Sequence, residues 1–285
     1  MARKNSHLLT QSRSAILVKN LISFVLILYT LITIFLIGNS VLSSFKTKAD
    51  LINNTMGFPS AFVLDNFRIV LGEDGFLTYL LNSVILVSLS ILFMVALSSS
   101  VAYGISMFRF KGRDFIQTYF LVGLMFPIQL GILPLFVIMN KLKLTNNLLG
   151  LAMVYAANMS FSVVVFSKFF NGFQHALLEA AVIDGANPLQ VFTRVVLPIS
   201  KPVIFTVGLI NFVMVWNDFY MPLVFLTKSS LRTLTLGIYA YTADFLANWN
   251  KVFAGVTVAL LPIIIIYFFF SEQIVSGLTS GSVKE

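Results

Sequence analysis

The chain contains no cysteine, and only two of its 285 residues are histidine, His7 and His175. The first absence excludes disulfides, thiolate nucleophiles and cysteine metal sites. The second leaves no recognisable metal-ligand set, since neither histidine lies beside a partner of that kind. Charge is scarce as well. Asp, Glu, Lys and Arg make up 11% of the residues, against about 25% in soluble proteins. No GxxxxGK[ST] phosphate loop, HExxH or GxSxG stretch occurs, so the chain has no visible means of binding ATP and no enzyme motif. What it has is apolar: 58% hydrophobic residues, 29 of them Phe, and a mean hydropathy of +0.92. It is therefore a membrane protein, and membrane lipid is its first partner. The formal charge of +8 does not come with a long basic run interleaved with aromatics, so no nucleic acid is expected. Lys and Arg gathered in cytoplasmic loops explain it more simply.

Crossing the hydrocarbon core takes about 20 apolar residues in a helix. Six stretches qualify: Leu21–Leu42, Tyr79–Tyr103, Gln117–Met139, Leu148–Phe169, Val203–Leu226 and Val252–Ser271. The first follows Arg3, Lys4, Arg13 and Lys19, but its apolar run exceeds that of a signal peptide and reads as a retained helix. An even number of spans puts both ends on one side. With the N-terminus inside, 11 of the 19 Lys and Arg fall inside, and the tight turn FRFKGRDF (residues 108–115) contributes three of them. The expected architecture is an all-α membrane protein with six helices, N-in and C-in. The chain then divides into a cytoplasmic segment 1–20, a first helix and long extracytoplasmic loop 21–76, a core module 77–272, and a cytoplasmic tail 273–285. The loop Ser43–Phe76, rich in turn signals, either caps the outer face or only connects. Pro127 and Pro134 are expected to kink the third span.

Between spans four and five lies a punctuated polar stretch, EAAVIDGANPLQVFTRVVLP (179–198), inside a loop of residues 170–202. Ala176–Asp184 is rich in helix formers. Gly185 suits the left-handed conformation that ends a helix. Asn187-Pro188 reads as an N-cap followed by proline at the first helical position. A second helix is expected from Pro188 to Leu197, stopped by Pro198 and Pro202. Short helices of this kind are marginal in water, so the pair needs a surface to pack on. A partner protein supplies one; the membrane surface is the other reading the residues leave open.

Glu179-Ala180-Ala181, three residues, Gly185, nine residues, then Val195-x-Leu197-Pro198 resembles the EAA loop of ATP-binding-cassette importer permeases, with Val195 where that family prefers isoleucine. Leu81-Asn82-Ser83, Ala102-Tyr103-Gly104 before Phe108–Gly112, and Trp216-Asn217-Asp218-Phe219 resemble the carbohydrate-uptake branch, in particular its smaller, maltose-type second permease. The resemblance covers about residues 15–280. It implies a bacterial or archaeal cytoplasmic membrane protein that forms a heterodimer with a second permease. Two ATPase subunits that bind ATP and Mg would join it, with an extracytoplasmic solute-binding protein and a carbohydrate substrate; the chain itself would hold no cofactor. Glu179, Ala180, Ala181, Asp184, Gly185, Leu197 and Pro198 would form the part gripped by the ATPase.

Polar side chains inside spans are costly and mark pathways. Tyr155 and Asn158 in span four, and Asn211, Trp216, Asn217, Asp218 and Phe219 in span five, are the candidate substrate contacts. The competing reading is hydrogen bonding between helices. The rival for the whole chain is an ion-coupled secondary transporter of a small polar solute. Asp218 is the one acid well inside a span, and no inverted repeat is apparent, which counts against that rival.

Overall fold

The computed structural model describes residues 13–173, 175–242 and 248–279. Most of the expected segment 1–20, including His7, and residues 280–285 of the expected tail lie outside the described residues. In chain order the helices are α1 (Arg13–Ser43), α2 (Lys48–Asn53), α3 (Asp65–Arg68), α4 (Phe76–Met107), α5 (Arg113–Gly123), α6 (Ile132–Lys141), α7 (Leu148–Ala157) and α8 (Ser160–Phe170). Then come α9 (His175–Ile183), α10 (Pro188–Val191), α11 (Leu197–Ile199), α12 (Lys201–Asn217), α13 (Tyr220–Phe225), α14 (Leu234–Thr242) and α15 (Trp249–Thr279). Among the described residues there is no strand.

Three helices are long and apolar enough to cross a membrane alone: Ile16–Ser43, Phe76–Met107 and Trp249–Phe270. Three further crossings are available only as bent pairs, which brings the possible total to six. The expected third span is not one rod. α5 and the segment Ile128–Lys141 meet at 97°, because Pro127, at φ −69° and ψ 133°, cannot donate a helical bond and holds the chain extended. Pro134 does not kink α6; it lies in the first turn, where a missing N–H costs nothing. The fourth span breaks between α7 and α8 with a 52° bend. The third bent pair is Pro188–Ile199 with α12, at 75°; the expected fifth span itself ends at Asn217 and restarts as α13.

α4 is the hub, packed against α7, α8, α12 and α14, while α15 packs against α12, α14 and α1. Ser90, Ser98, Ser99 and Ala102 on α4 are buried. Small residues of this kind let helices approach closely where lipid gives no hydrophobic drive to association. The Ser90 hydroxyl returns its own hydrogen bond to the Leu86 carbonyl at 2.7 Å. α1 lies apart: its apolar window has no buried residue, so it presents Phe24, Leu26, Tyr29 and Phe35 outward.

The loop after α1 is an ordered cap rather than a bare connection. Lys46 is fully buried and donates to the carbonyls of Asn54 at 2.7 Å and Thr55 at 3.1 Å, at the C-terminal end of α2. A cation there meets the negative end of the helix dipole. Buried Asn66 donates to the carbonyls of Ser44 and Lys46 at 2.8 and 2.9 Å, and accepts from Asn250 of α15 at 2.7 Å. Asp50 accepts from the amide and hydroxyl of Ser60 at 2.9 and 2.8 Å. Those bonds, the amide first, hold its carboxyl below the ordinary value. Asp74 joins the cap to the last helices, accepting from Lys251 at 2.9 Å and Tyr241 at 2.8 Å.

Candidate functional site

Two groups of residues stand out: the bent stretch 175–200, and the paired helix breaks at 158–159 and 218–219. In the first, α9 ends in a Schellman motif. Gly185 has φ +82°, its amide donates to the Val182 carbonyl at 3.0 Å, and the Ala186 amide donates to Ala181 at 3.0 Å. These are the 5→2 and 6→1 bonds that satisfy the last carbonyls of a helix. Asn187 then caps the next helix in a full capping box. Its side chain accepts from the Gln190 amide at 2.9 Å, and Gln190 accepts from the Asn187 amide at 2.9 Å. Both ends of the bend are thus fixed by local bonds.

The expected stop at Pro198 is not found. Pro188–Ile199 runs as one helix with a π turn over Phe192–Val196. The Leu197 amide reaches the carbonyl of Phe192, five residues back. The wider turn loosens the regular ladder just before Pro198. Ser200 ends the helix, and Pro202 opens α12 rather than closing its predecessor.

This hairpin rests on the bundle through Val191, Phe192 and Val196, which join Ala102, Phe166 and Phe170 in one buried cluster. Leu178 and Ala181 turn towards that cluster. Tyr103 clamps it from α4: its hydroxyl donates to the Pro188 carbonyl at 3.2 Å, and its ring lies 4.9 Å from that of Phe192. Ala102-Tyr103 thus joins the bend to the hub helix. The opposite face of α9 is open: Glu179, Ala180 and Asp184 are exposed, as are Val182 at 61% and Ile183 at 84%. Leu197 is half-buried and Pro198 exposed. Val182 and Ile183 were missed by the sequence reading; an apolar pair just ahead of the helix-ending glycine was the signal.

In the second group, the breaks in the fourth and fifth spans face each other. Tyr155, buried on α7, donates its hydroxyl to Asp218 Oδ2 at 2.7 Å. Asp218 Oδ1 accepts from the Tyr220 amide at 2.8 Å, at the start of α13. The Asp218 carbonyl accepts from Thr235 of α14 at 3.0 Å. One acidic residue therefore links three elements at the point where its own helix opens, with its negative charge at a helix N-terminus. Asn158 ends α7 beside it and is exposed. Phe219 lies 4.5 Å from the ring of Tyr239.

The other sequence candidates pack between helices. Asn211 is buried, donating to Ser162 Oγ at 3.1 Å and to the Val207 carbonyl at 2.8 Å. Trp216 is buried, stacks on Phe212 at 5.5 Å and donates to the Ala259 carbonyl at 3.2 Å. Asn217 is exposed and bonds back to Val213 at 2.9 Å. Asn82 and Ser83, quoted above only as part of a motif, are structural pins. Asn82 donates to the carbonyls of Ser230 and Arg232 at 2.9 and 3.0 Å. Ser83 Oγ accepts from the Leu234 amide at 2.8 Å. Among the described residues no group of acids and histidines has the arrangement of a metal site.

Comparison with known proteins gives this geometry its context. Residues 94–279 match the family model for binding-protein-dependent transport system inner membrane components. A putative ABC transporter permease protein, ORF2, of Caldicellulosiruptor sp. strain Rt8B.4 is 34% identical over 85% of this chain and 88% of its own. The multiple sugar-binding transport system permease protein MsmG of Streptococcus mutans is 34% identical, covering 86% and 90% of the two chains. A chain in the crystal structure of a bacterial ABC transporter involved in the import of the acidic polysaccharide alginate superposes with a TM-score of 0.81 at 22% identity, over 92% of this chain and 98% of its own. With well over half its length matched to the family model and its helices arranged as in a solved importer, the chain belongs to the binding-protein-dependent transport system inner membrane components: it is a permease subunit of an ABC importer, a family whose ATP hydrolysis is carried out by separate ATPase subunits.

Proposed function

We propose that the chain forms half of the pathway for a sugar or related carbohydrate, beside a second permease, in a bacterial or archaeal cytoplasmic membrane. Two ATPase subunits carrying ATP and Mg grip it from the cytoplasm, and a binding protein delivers substrate from outside. The carbohydrate class is supported by relatives named for sugars, MsmG among them. The orientation is N-in and C-in. It is supported by Arg109, Lys111, Arg113, Lys168, Arg194 and Lys201, which flank the 108–113 turn and the bend and have no ion-pair partner among the described residues. Cytoplasmic loops concentrate such cations.

The observation that carries the coupling reading is the open face of α9. Ile183 is 84% exposed and Val182 61% exposed on a short helix whose other face packs on the bundle and whose C-terminal end is bonded in the bend. Burying two such side chains in a partner is worth about 1.5–3 kcal/mol each. Glu179 supplies an anion for a cation on the ATPase. Ala180 and Ala181 keep the surface low enough for close approach. Gly185 fixes the bend, and Asp184, Leu197 and Pro198 complete the handle. Closure of the ATPase dimer then drags α9 and, through Tyr103 and the buried cluster below, tilts α4 and α8. The spans exchange inward-open and outward-open packings as rigid bodies. Along the pathway, Tyr155, Asn158, Asn217, Asp218 and Phe219 meet substrate hydroxyls and ring faces, while Asn211 and Trp216 hold the helices that carry them.

The test is Glu179→Ala and Ala180→Trp, each assayed for uptake and for ATPase retained on the purified permease. Both positions are exposed on the open face, so stability changes by about 0.5 kcal/mol or less for Glu179→Ala. Uptake is expected to fall at least tenfold with the ATPase lost. Normal retention and uptake in both variants would remove the coupling role from this helix.

A further inference from the structure

At the end of the bundle that carries residues 108–115, two cavities adjoin and share Asn171 as a wall. One, of about 200 Å³, is lined by Ser106, Arg109, Arg113, Asn171 and Leu178. The other, of about 190 Å³, is lined by Ile105, Phe120, Leu121, Val163, Ser167 and Lys168. The first is basic and the second mostly apolar, with a lysine at its edge.

None of these cations is neutralised. Among the described residues the ion pairs use Arg68 and Lys251 as the cations. Arg113 Nε donates to the Ile105 carbonyl at 2.6 Å, which fixes its guanidinium at the junction of the two cavities. Ser167, 6% exposed, lines the apolar cavity, and its hydroxyl has no hydrogen-bond partner. The turn itself alternates rings and charges: Phe108, Phe110 and Phe115 are exposed at 43%, 43% and 75%, around Arg109, Lys111 and Arg113. Exposed rings interleaved with cations are the pattern of a segment seated at the lipid headgroup level.

We infer that this pair of cavities binds an anionic phospholipid, its phosphate held by Arg109, Arg113 and Lys168 and part of an acyl chain lying against Phe120, Leu121 and Val163. An acidic side chain from the ATPase would satisfy the cations and leave the apolar cavity unfilled; a phospholipid satisfies both. Leu178 belongs to α9, so the bound headgroup touches the coupling helix and ties it to the α4–α5 turn. Lipid charge would then set how firmly α9 follows the ATPase. The site depends on the proposed orientation only for the leaflet it faces.

The experiment uses the full chain in its purified complex, reconstituted in nanodiscs of phosphatidylcholine with a minor fraction of phosphatidylglycerol. Lipid retained after detergent extraction is read by native mass spectrometry. Both leaflets are accessible in a nanodisc, so retention reports the site whatever the orientation. Wild type is expected to keep phosphatidylglycerol over phosphatidylcholine. Arg109→Gln and Lys168→Gln, both at exposed positions, should each lower that retention about fivefold, the weight of one cation near a lipid surface. Arg109→Lys should keep most of it, and millimolar glycerol 3-phosphate should not displace the lipid. Three results would overturn the inference. One is equal retention of the two lipids. Another is displacement by glycerol 3-phosphate, which marks a free-anion site. The third is Arg109→Gln releasing the ATPase while phosphatidylglycerol stays bound, which marks a protein-docking surface.

Discussion

Asp218 shows how much one residue decides. It was legible in the sequence as an acid inside a span, and that alone marked it as functional. Its partner was not legible: Tyr155 lies 63 residues away in sequence, and only the packing of α7 on the bundle brings the hydroxyl to 2.7 Å. A charge-assisted bond of this kind is worth about 1.5–3 kcal/mol. Tyr155→Phe is therefore expected to lower thermal stability by that amount and to loosen the break at 218–219, seen as faster amide exchange at the start of α13. Unchanged exchange there would mean that Tyr220 and Thr235 hold Asp218 without it. Asp50 gives a pH signature on the cap after α1. Its folded-state carboxyl titrates below the ordinary 3.8 because Ser60 donates to its charged form. The stabilisation is therefore complete above the unfolded value and is lost as pH falls through the lower folded value. Proteolysis of the 54–62 segment should accelerate only in acid below about pH 4, and Asp50→Asn should be fast at every pH.

At the scale of elements, sequence signals are reliable where bonding is local and poor where it is not. The bend at 184–188 was readable from Gly185, Asn187 and Pro188, which act on neighbours within a few residues; Gln190, which completes the capping box, was not read. The continuity of the helices was misread. A hydropathy window reports apolar content, and the stretches on either side of each break are apolar enough to merge into one span. What opens spans three and five is specific: the missing donor of Pro127, and the side chain of Asp218 competing for the amide at the start of α13. Pro198 misled in the opposite direction, since a π turn absorbs a proline that would end a regular helix. The loop after α1 was undecidable from turn signals alone; its order comes from Lys46 and Asn66, whose partners lie across the loop and on α15. Gly185 allows a direct test. A Cβ there meets nothing within 4 Å, so a substitution carries only the cost of φ +82°. Gly185→Val should destabilise the bend by about 1–2 kcal/mol and weaken coupling while leaving the bundle folded. Uptake equal to wild type would show that the bend need not be rigid.

The whole molecule reads as an unfinished surface. α1 is bare over most of its apolar length, the hub helix α4 lies beneath the bend, and the exposed face of α9 points away from the bundle with Ile183 at its tip. A chain without a phosphate loop, belonging to an importer family, has to draw its work from a partner, and α9 is the element whose geometry fits that role. The lack of any native cysteine makes the decisive measurement direct. Ala180→Cys and Asn217→Cys, both at exposed positions, are each introduced as single cysteines into the complete transporter, which is treated with a short thiol-to-amine cross-linker in membranes with and without ATP. The account predicts that Ala180→Cys joins an ATPase subunit, that the yield changes with ATP, and that Asn217→Cys gives no ATPase adduct. An ATPase adduct from Asn217→Cys but none from Ala180→Cys would contradict it, and the site of coupling would then lie elsewhere on this chain.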